Sequence, residues 1–271
     1  NWLVGGLAIG SSIFLFDGAP TYPKIDVLLE YCQNNKINLF GVSAKYIDHL
    51  KNEKFNSNHL DLTSIKIIAS TGSPLSEESF RYVYENIKKD VHLASIAGGT
   101  DMVGCLVLGN LYSNVFKGEI QGQSLAIDVD VFTDDGKSTK DGEKGELVVK
   151  QPFPSMPIKF WGDESGEKYH KAYFTRFKNI WHHGDFIERT NNNGFVMRGR
   201  SDATLNPGGV RIGTSEIYQQ VEDIDFITEG LVVGQDYKDD IRILLFITTK
   251  KNAELDDEKI KYIKTKIRKS C

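Results

Sequence analysis

Residues 65–87 read IKIIASTGSPLSEESFRYVYENI. Ile65–Ala69 is an apolar run of strand length, and Phe80, Val83, Tyr84 and Ile87 recur at helical spacing. Between them Ser70-Thr71-Gly72-Ser73-Pro74 makes a turn, and Ser76 stands where a helix cap is expected. The stretch is therefore a strand, a turn and a helix. Upstream the pattern repeats: Ile25, Leu28, Leu29 and Cys32 fall at helical spacing before the apolar run Leu39–Val42. Ile13–Phe16 is expected to be a further short strand. Helices alternating with apolar strands imply a parallel sheet covered on both faces. Ligands of such sheets sit at the carboxyl ends of strands. Ser70–Pro74 and Gly98–Asp101 both follow predicted strands, so both can reach one ligand.

From about Glu119 to Met197 short alternating strands are expected at Ile127–Thr133, Glu146–Lys150, Phe186–Arg189 and Phe195–Arg198. Turn signals at Asp134–Lys137 and Asn191–Gly194 separate them. After Asp202 come a glycine loop, a helix near Thr214–Val221, strands near Leu231–Val233 and Ile241–Thr249, and a charged helix. The expected fold class is α/β. A parallel sheet with flanking helices leads to a small β subdomain and a partial α+β C-terminal domain, divided as 1–201 and 202–271.

The composition excludes several functions. A net charge of −4 over 271 residues leaves no electrostatic footprint for nucleic acid. The longest apolar stretch, Trp2 to Phe16, is interrupted by Gly5, Gly6, Gly10 and two serines, so no membrane span is expected. Cys32, Cys105 and Cys271 are too few and too scattered for a disulfide framework or a structural zinc, and read as thiols of a reducing, cytoplasmic compartment. The chain starts without methionine inside an apolar patch and stops on Ser270-Cys271 inside a helical pattern. The expectation is a fragment of a longer polypeptide.

Three short runs carry chemistry. Gly199–Ile212 (GRSDATLNPGGVRI) holds two arginines around Asp202 and a Gly-Gly pair. The planar fork of arginine suits phosphate and ribose oxygens, and glycine lets backbone approach a ligand. Trp181–Phe186 (WHHGDF) puts Asp185 on a glycine turn, where it can accept from two hydroxyls. Ala97–Asp101 (AGGTD) offers the Thr100 hydroxyl and the Asp101 carboxylate beside flexible backbone. Together they describe a site for a nucleotide monophosphate and a divalent metal. Taken singly, each has a plainer reading. Asp185 is a turn aspartate satisfying local N–H groups, Thr100-Asp101 a helix-capping pair, and Pro207-Gly208 a simple turn. The adjacent His182 and His183 project differently and read as structural.

Asn1–Asp17, Lys150–Asp185 and Gly199–Val221 resemble the adenylate-forming enzymes, and within them the acetoacetyl-CoA synthetases. The resemblance thins after about Glu229. It implies that 1–201 is the C-terminal part of a large AMP-binding domain and that 202–271 is an incomplete small domain hinged at Asp202. It implies ATP, Mg2+ and CoA as cofactor and substrates, with acetoacetate as the acid activated. Gly72, Ser73 and Pro74 would lie against adenine, with Gly99 beside the nucleotide. Asp185 and Arg200 would hold the ribose. Thr100 and Arg211 would meet the α-phosphate as the catalytic pair, and Asp101 would hold the metal. Asn206, Gly208 and Gly209 would line the passage for CoA, and Ala97 and Gly98 the acyl pocket. Acetate-activating relatives carry tryptophan where this chain has Gly98, so the glycine is expected to leave a deeper pocket. The family's phosphate loop and C-terminal catalytic lysine have no counterpart here, as expected of a fragment inactive alone. The alternatives are another short-chain acyl-CoA synthetase, for acetate or propionate, and a non-catalytic nucleotide-binding fragment.

Overall fold

A computed structural model describes residues 2–205, 212–222, 224–237, 240–250 and 253–270. It opens with α1 (Trp2–Ala8), then α2 (Val27–Asn34), β1 (Leu39–Ser43), α3 (Ala44–Asn52), β2 (Ile67–Thr71), α4 (Glu77–Tyr82) and β3 (His92–Ser95). Strands β1, β2 and β3 form a parallel sheet in that order, with Leu39 beside Ile67 and Ile67 beside His92. The hydroxyls that begin two of its helices are visible in the sequence. Ser43 Oγ accepts from Tyr46 N (3.1 Å), and Ser76 Oγ accepts from Ser79 N (3.2 Å). Each such cap is worth about 1 kcal/mol. A π-turn at Val83–Ile87 widens the end of α4 yet keeps Val83 and Ile87 buried. One apolar cluster joins sheet and helices through Leu29, Leu50, Ile65, Phe80 and Leu93.

Next come three short antiparallel strands, β4 (Ala97–Gly99), β5 (Gly104–Leu108) and β6 (Gly122–Gln123). They were not anticipated, because Gly98, Gly99 and Gly104 break the apolar alternation. Strands β7 (Val129–Phe132) and β8 (Lys144–Val149), helix α5 (Glu167–Tyr173), and strands β9 (Trp181–Arg189) and β10 (Phe195–Arg200) follow. These four strands make an antiparallel sheet in the order β10-β9-β8-β7. Its apolar face closes on Leu106, Val131, Leu147, Trp181 and Ile187.

A 3-10 turn at Ser201–Ala203 leads to α6 (Thr214–Glu222), the hairpin β11 (Ile227–Tyr237) and β12 (Asp240–Thr249), and α7 (Asp257–Ser270). Leu205 and Ile212 exchange backbone hydrogen bonds of 2.9 and 2.8 Å. Ile13–Phe16 is not a strand: among the described residues nothing pairs with it, and Phe14 and Phe16 pack edge-on against Tyr31 instead. Leu7, Ile9 and Leu15 are largely exposed. No helix of the described residues is long and apolar enough to cross a membrane.

Candidate functional site

Asp185 lies inside strand β9, not on a turn. Val148 pairs with His182 and Glu146 with Phe186, so His183, Gly184 and Asp185 face the single residue Leu147. This is a bulge, and Gly184 makes it with φ +81°. On its other side β9 pairs with β10, and Asp185 stands directly across from Arg200. The Arg200 Nη1 donates to Asp185 Oδ1 (3.1 Å) and to the His183 carbonyl (3.2 Å). Its Nε lies 3.5 Å from Asp202 Oδ1. A side chain at position 184 would crowd the Arg200 guanidinium, with Cβ 2.8 Å from Nη2.

Burial sets the charge state here. It pushes the Asp185 carboxyl up from its ordinary value, against the opposing pull of His183 and Arg200. It pushes the His183 imidazole down, although Asp185, Asp101 and the Gly98 backbone favour its proton. Trp181 Nε1 donates to His183 Nδ1 (3.3 Å), which leaves the ring proton on Nε2, 3.6 Å from Asp185 Oδ2. A neutral histidine therefore backs the carboxylate.

Two cavities meet at Gly98 and Arg200. The first, about 270 Å³, is bounded by Gly72, Ser73, Pro74, Ala97, Asp185 and Met197 among others. The second, about 550 Å³, takes in Gly99, Asp101, Tyr173, Arg176, His182 and Asp202. The loop after β2, the β4 strand and the β9–β10 pair thus converge from distant parts of the chain. Thr100 is exposed in the turn between β4 and β5 and lines neither cavity; it does not start a helix. Asp202 is exposed in the 3-10 turn. Asn206, Gly208, Gly209 and Arg211 lie outside the described residues.

Gly98 has a second constraint. An added Cβ would run into the Gly104 carbonyl and come within 2.5 Å of Cys105 Cα. The room left by the absent side chain is filled by the β5 backbone, so the glycine is demanded by strand pairing whatever it does for pocket depth.

Three contributors escaped the sequence reading. The Tyr173 hydroxyl donates to Asp101, and its ring stacks on Trp181 at 3.7 Å. Tyr169 and Tyr173, one helical turn apart on α5, were the available signal. Glu146, fully buried on β8, accepts from Ser201 Oγ, lies 2.8 Å from His182 Nε2 and pairs with Arg176 at 3.2 Å. It fixes the start of the link that follows Arg200. Lys144 on β8 pairs with the buried Glu216 on α6, whose other oxygen accepts from Gly213 N (3.0 Å).

The family model for the AMP-binding enzymes matches residues 1–156. Acetoacetyl-coenzyme A synthetase of Rhizobium meliloti (strain 1021) is 53% identical over 269 residues, which are 99% of this chain and 41% of that protein. The Gallus gallus acetoacetyl-CoA synthetase is 43% identical over 99% of this chain and 40% of its own length. The solved acetoacetyl-CoA synthetase from Streptomyces lividans superposes with a TM-score of 0.89 at 38% identity, over 98% of this chain and 41% of that one. A benzoate CoA ligase from Burkholderia xenovorans LB400 shares the fold, with a TM-score of 0.78 at 19% identity over 98% of this chain and 51% of its own. The chain spans about two fifths of the length of the curated relatives it matches.

Proposed function

Because this chain belongs to the AMP-binding enzyme family, we propose that the smaller cavity holds the adenosine of ATP, and that the protein carrying this chain joins acetoacetate to CoA. One observation carries the reading: a buried carboxylate, Asp185, faces Arg200 where the two cavities meet. The names of the similar proteins supply the acid and the thiol.

A carboxylate oxygen of acetoacetate attacks the α-phosphorus, the bond to pyrophosphate breaks, and pyrophosphate leaves. The CoA sulfur then attacks the acyl carbon, its proton passes to water, and AMP departs. Asp185 accepts from the ribose hydroxyls, and Arg200 keeps it aimed. Gly72–Pro74 lie against the base with Gly99 beside the phosphate. Thr100 and Arg211 donate to the α-phosphate as charge builds. Ala97 and Gly98 border the acyl group, Asn206, Gly208 and Gly209 admit CoA, and the 202–271 unit turns about Asp202 between the two steps.

No group of three or more metal-binding side chains occurs among the described residues. The single carboxylate of Asp101, backed by Tyr173, still suits Mg2+, which takes one or two carboxylates and completes its shell with substrate phosphates and water. When bound, Mg2+ offsets the negative charge of the phosphates. The free thiols Cys32 and Cys105 agree with a cytoplasmic setting.

The test is nucleotide titration by calorimetry. A charge-assisted hydrogen bond is worth about 1.5–3 kcal/mol, so Asp185→Ala should weaken binding about tenfold or more. Unchanged affinity overturns the ribose assignment. ATP–pyrophosphate exchange that responds to acetate but not to acetoacetate overturns the choice of acid.

A further inference from the structure

The adenosine cleft is not walled by the large unit alone. Gln219, on α6, lines it together with Thr71, Ser73 and Ser95. Helix geometry explains its presence. Thr214 and Ser215 sit against Gly199, itself part of the cleft wall, and Gln219 lies one turn beyond Ser215 on the same face. The opposite face, Ile217 and Val221, is buried within the C-terminal unit. Gln219 is half-buried, and among the described residues its carboxamide has no hydrogen-bond partner. A side-chain amide at the wall of a ligand cleft, with donor and acceptor both unspent, is equipped to meet a ligand that offers the complementary pair. Adenine does so: an amino group and a ring nitrogen lie side by side on its edge, and a carboxamide matches both.

We infer that Gln219 reads the base, accepting from the adenine amino group and donating to N7, the ring nitrogen that adenine and hypoxanthine both present as an acceptor. This rests on the adenosine reading above. Hypoxanthine carries a carbonyl in place of that amino group, so one of the two bonds is lost. Base selection then belongs to the C-terminal unit, while ribose binding belongs to the large unit. The Lys144–Glu216 pair, which holds α6 against β8, sets Gln219 in place.

The experiment is calorimetric titration of the chain with AMP and with inosine monophosphate, for the parent, Gln219→Met, Gln219→Glu and Asp185→Ala. Methionine keeps the volume of the side chain, and glutamate keeps the acceptor but removes the donor. The parent should prefer AMP about tenfold or more, the range of one well-placed amide–base pair. Gln219→Met should lower AMP affinity by more than that factor, lower inosine monophosphate affinity less, and bring the ratio close to one. Gln219→Glu should weaken both nucleotides and keep the preference for AMP, because the acceptor that tells amino from carbonyl stays. Asp185→Ala should weaken both nucleotides alike. AMP binding with the ratio unmoved by Gln219→Met overturns the base-reading role and leaves the adenosine reading standing. Equal losses for both nucleotides in Gln219→Met overturn it too. A parent that binds neither nucleotide overturns both readings.

Discussion

The parallel-sheet unit and the C-terminal unit are both helices laid on strands, yet different forces hold them. In the first, Leu29, Ala44 and Ile65 are fully buried in a single cluster, and only the outer strand β1 departs from the expected two-sided cover, with Phe40 buried and Leu39, Gly41 and Ser43 exposed. In the second, the hairpin keeps a wet face, with Leu231, Tyr237 and Phe246 exposed. Its interior is split between Val221, Ile224, Ile227 and Ile263 on one side and Leu205, Ile217 and Val232 on the other. Antiparallel strands commonly keep one solvated face, whereas the central parallel strand β2 buries Ile68, Ala69 and Ser70 in succession. The first unit is therefore fixed by area removed from water. The second depends for its placement on contacts with its neighbour, the Lys144–Glu216 pair foremost.

Phe80→Ala should break the first unit hardest. The ring is 1% exposed, and such truncations cost about 3–5 kcal/mol. Urea unfolding should show the midpoint fall, with loss of the α/β signal. Gly98→Ala comes next. The new methyl meets β5 backbone, and overpacking of this kind costs about 1–3 kcal/mol. Its stability is to be measured together with the preference between acetoacetate and acetate in the activity proposed above. A shift in preference without loss of stability would show that strand pairing does not require the glycine.

Lys144→Gln acts on the second unit. The lysine is partly exposed while Glu216 is buried, which puts the loss at about 1–2 kcal/mol, between a surface pair and a buried one. Limited proteolysis should cut the 201–213 link faster while the parallel-sheet core resists as before. Equal sensitivity of both units would erase the contrast between them.

The smallest effect concerns pH. The His183 imidazole is held below its ordinary 6.5, so its share of stability is present above that value and lost as pH falls through the folded pKa. Asp185 acts in the opposite sense. Its raised pKa disfavours the ionised fold, so stability returns as pH approaches that pKa from above. Urea midpoints at about pH 7.5 and about pH 5.5 should fall more steeply for the parent than for His183→Gln. Parallel slopes would remove His183 from the account.

The strand–turn–helix of residues 65–87 was legible because its periodicity is local and Ser76 marks the helix start. The first half of β9 was not, because a glycine signals a turn in sequence and here makes a bulge. Asp185, Arg200 and Gly72–Pro74 were legible as motif members, and the structure gathers them at one cleft. Tyr173, Glu146 and Gln219 were silent, because each works through partners far along the chain. Tyr173 meets Asp101 across 72 positions, and Glu146 meets Ser201 across 55. No pattern within a helix or a strand carries that information.

Glu216 divides its two oxygens between different scales. One seals the Gly213 N–H at the start of α6, and the other holds Lys144. Breaking the second bond leaves the first in place, and a carboxylate at the third helical position still suits the positive helix end. Were the unit to turn as proposed above, α6 would travel with its first turn still closed, because that cap does not involve β8.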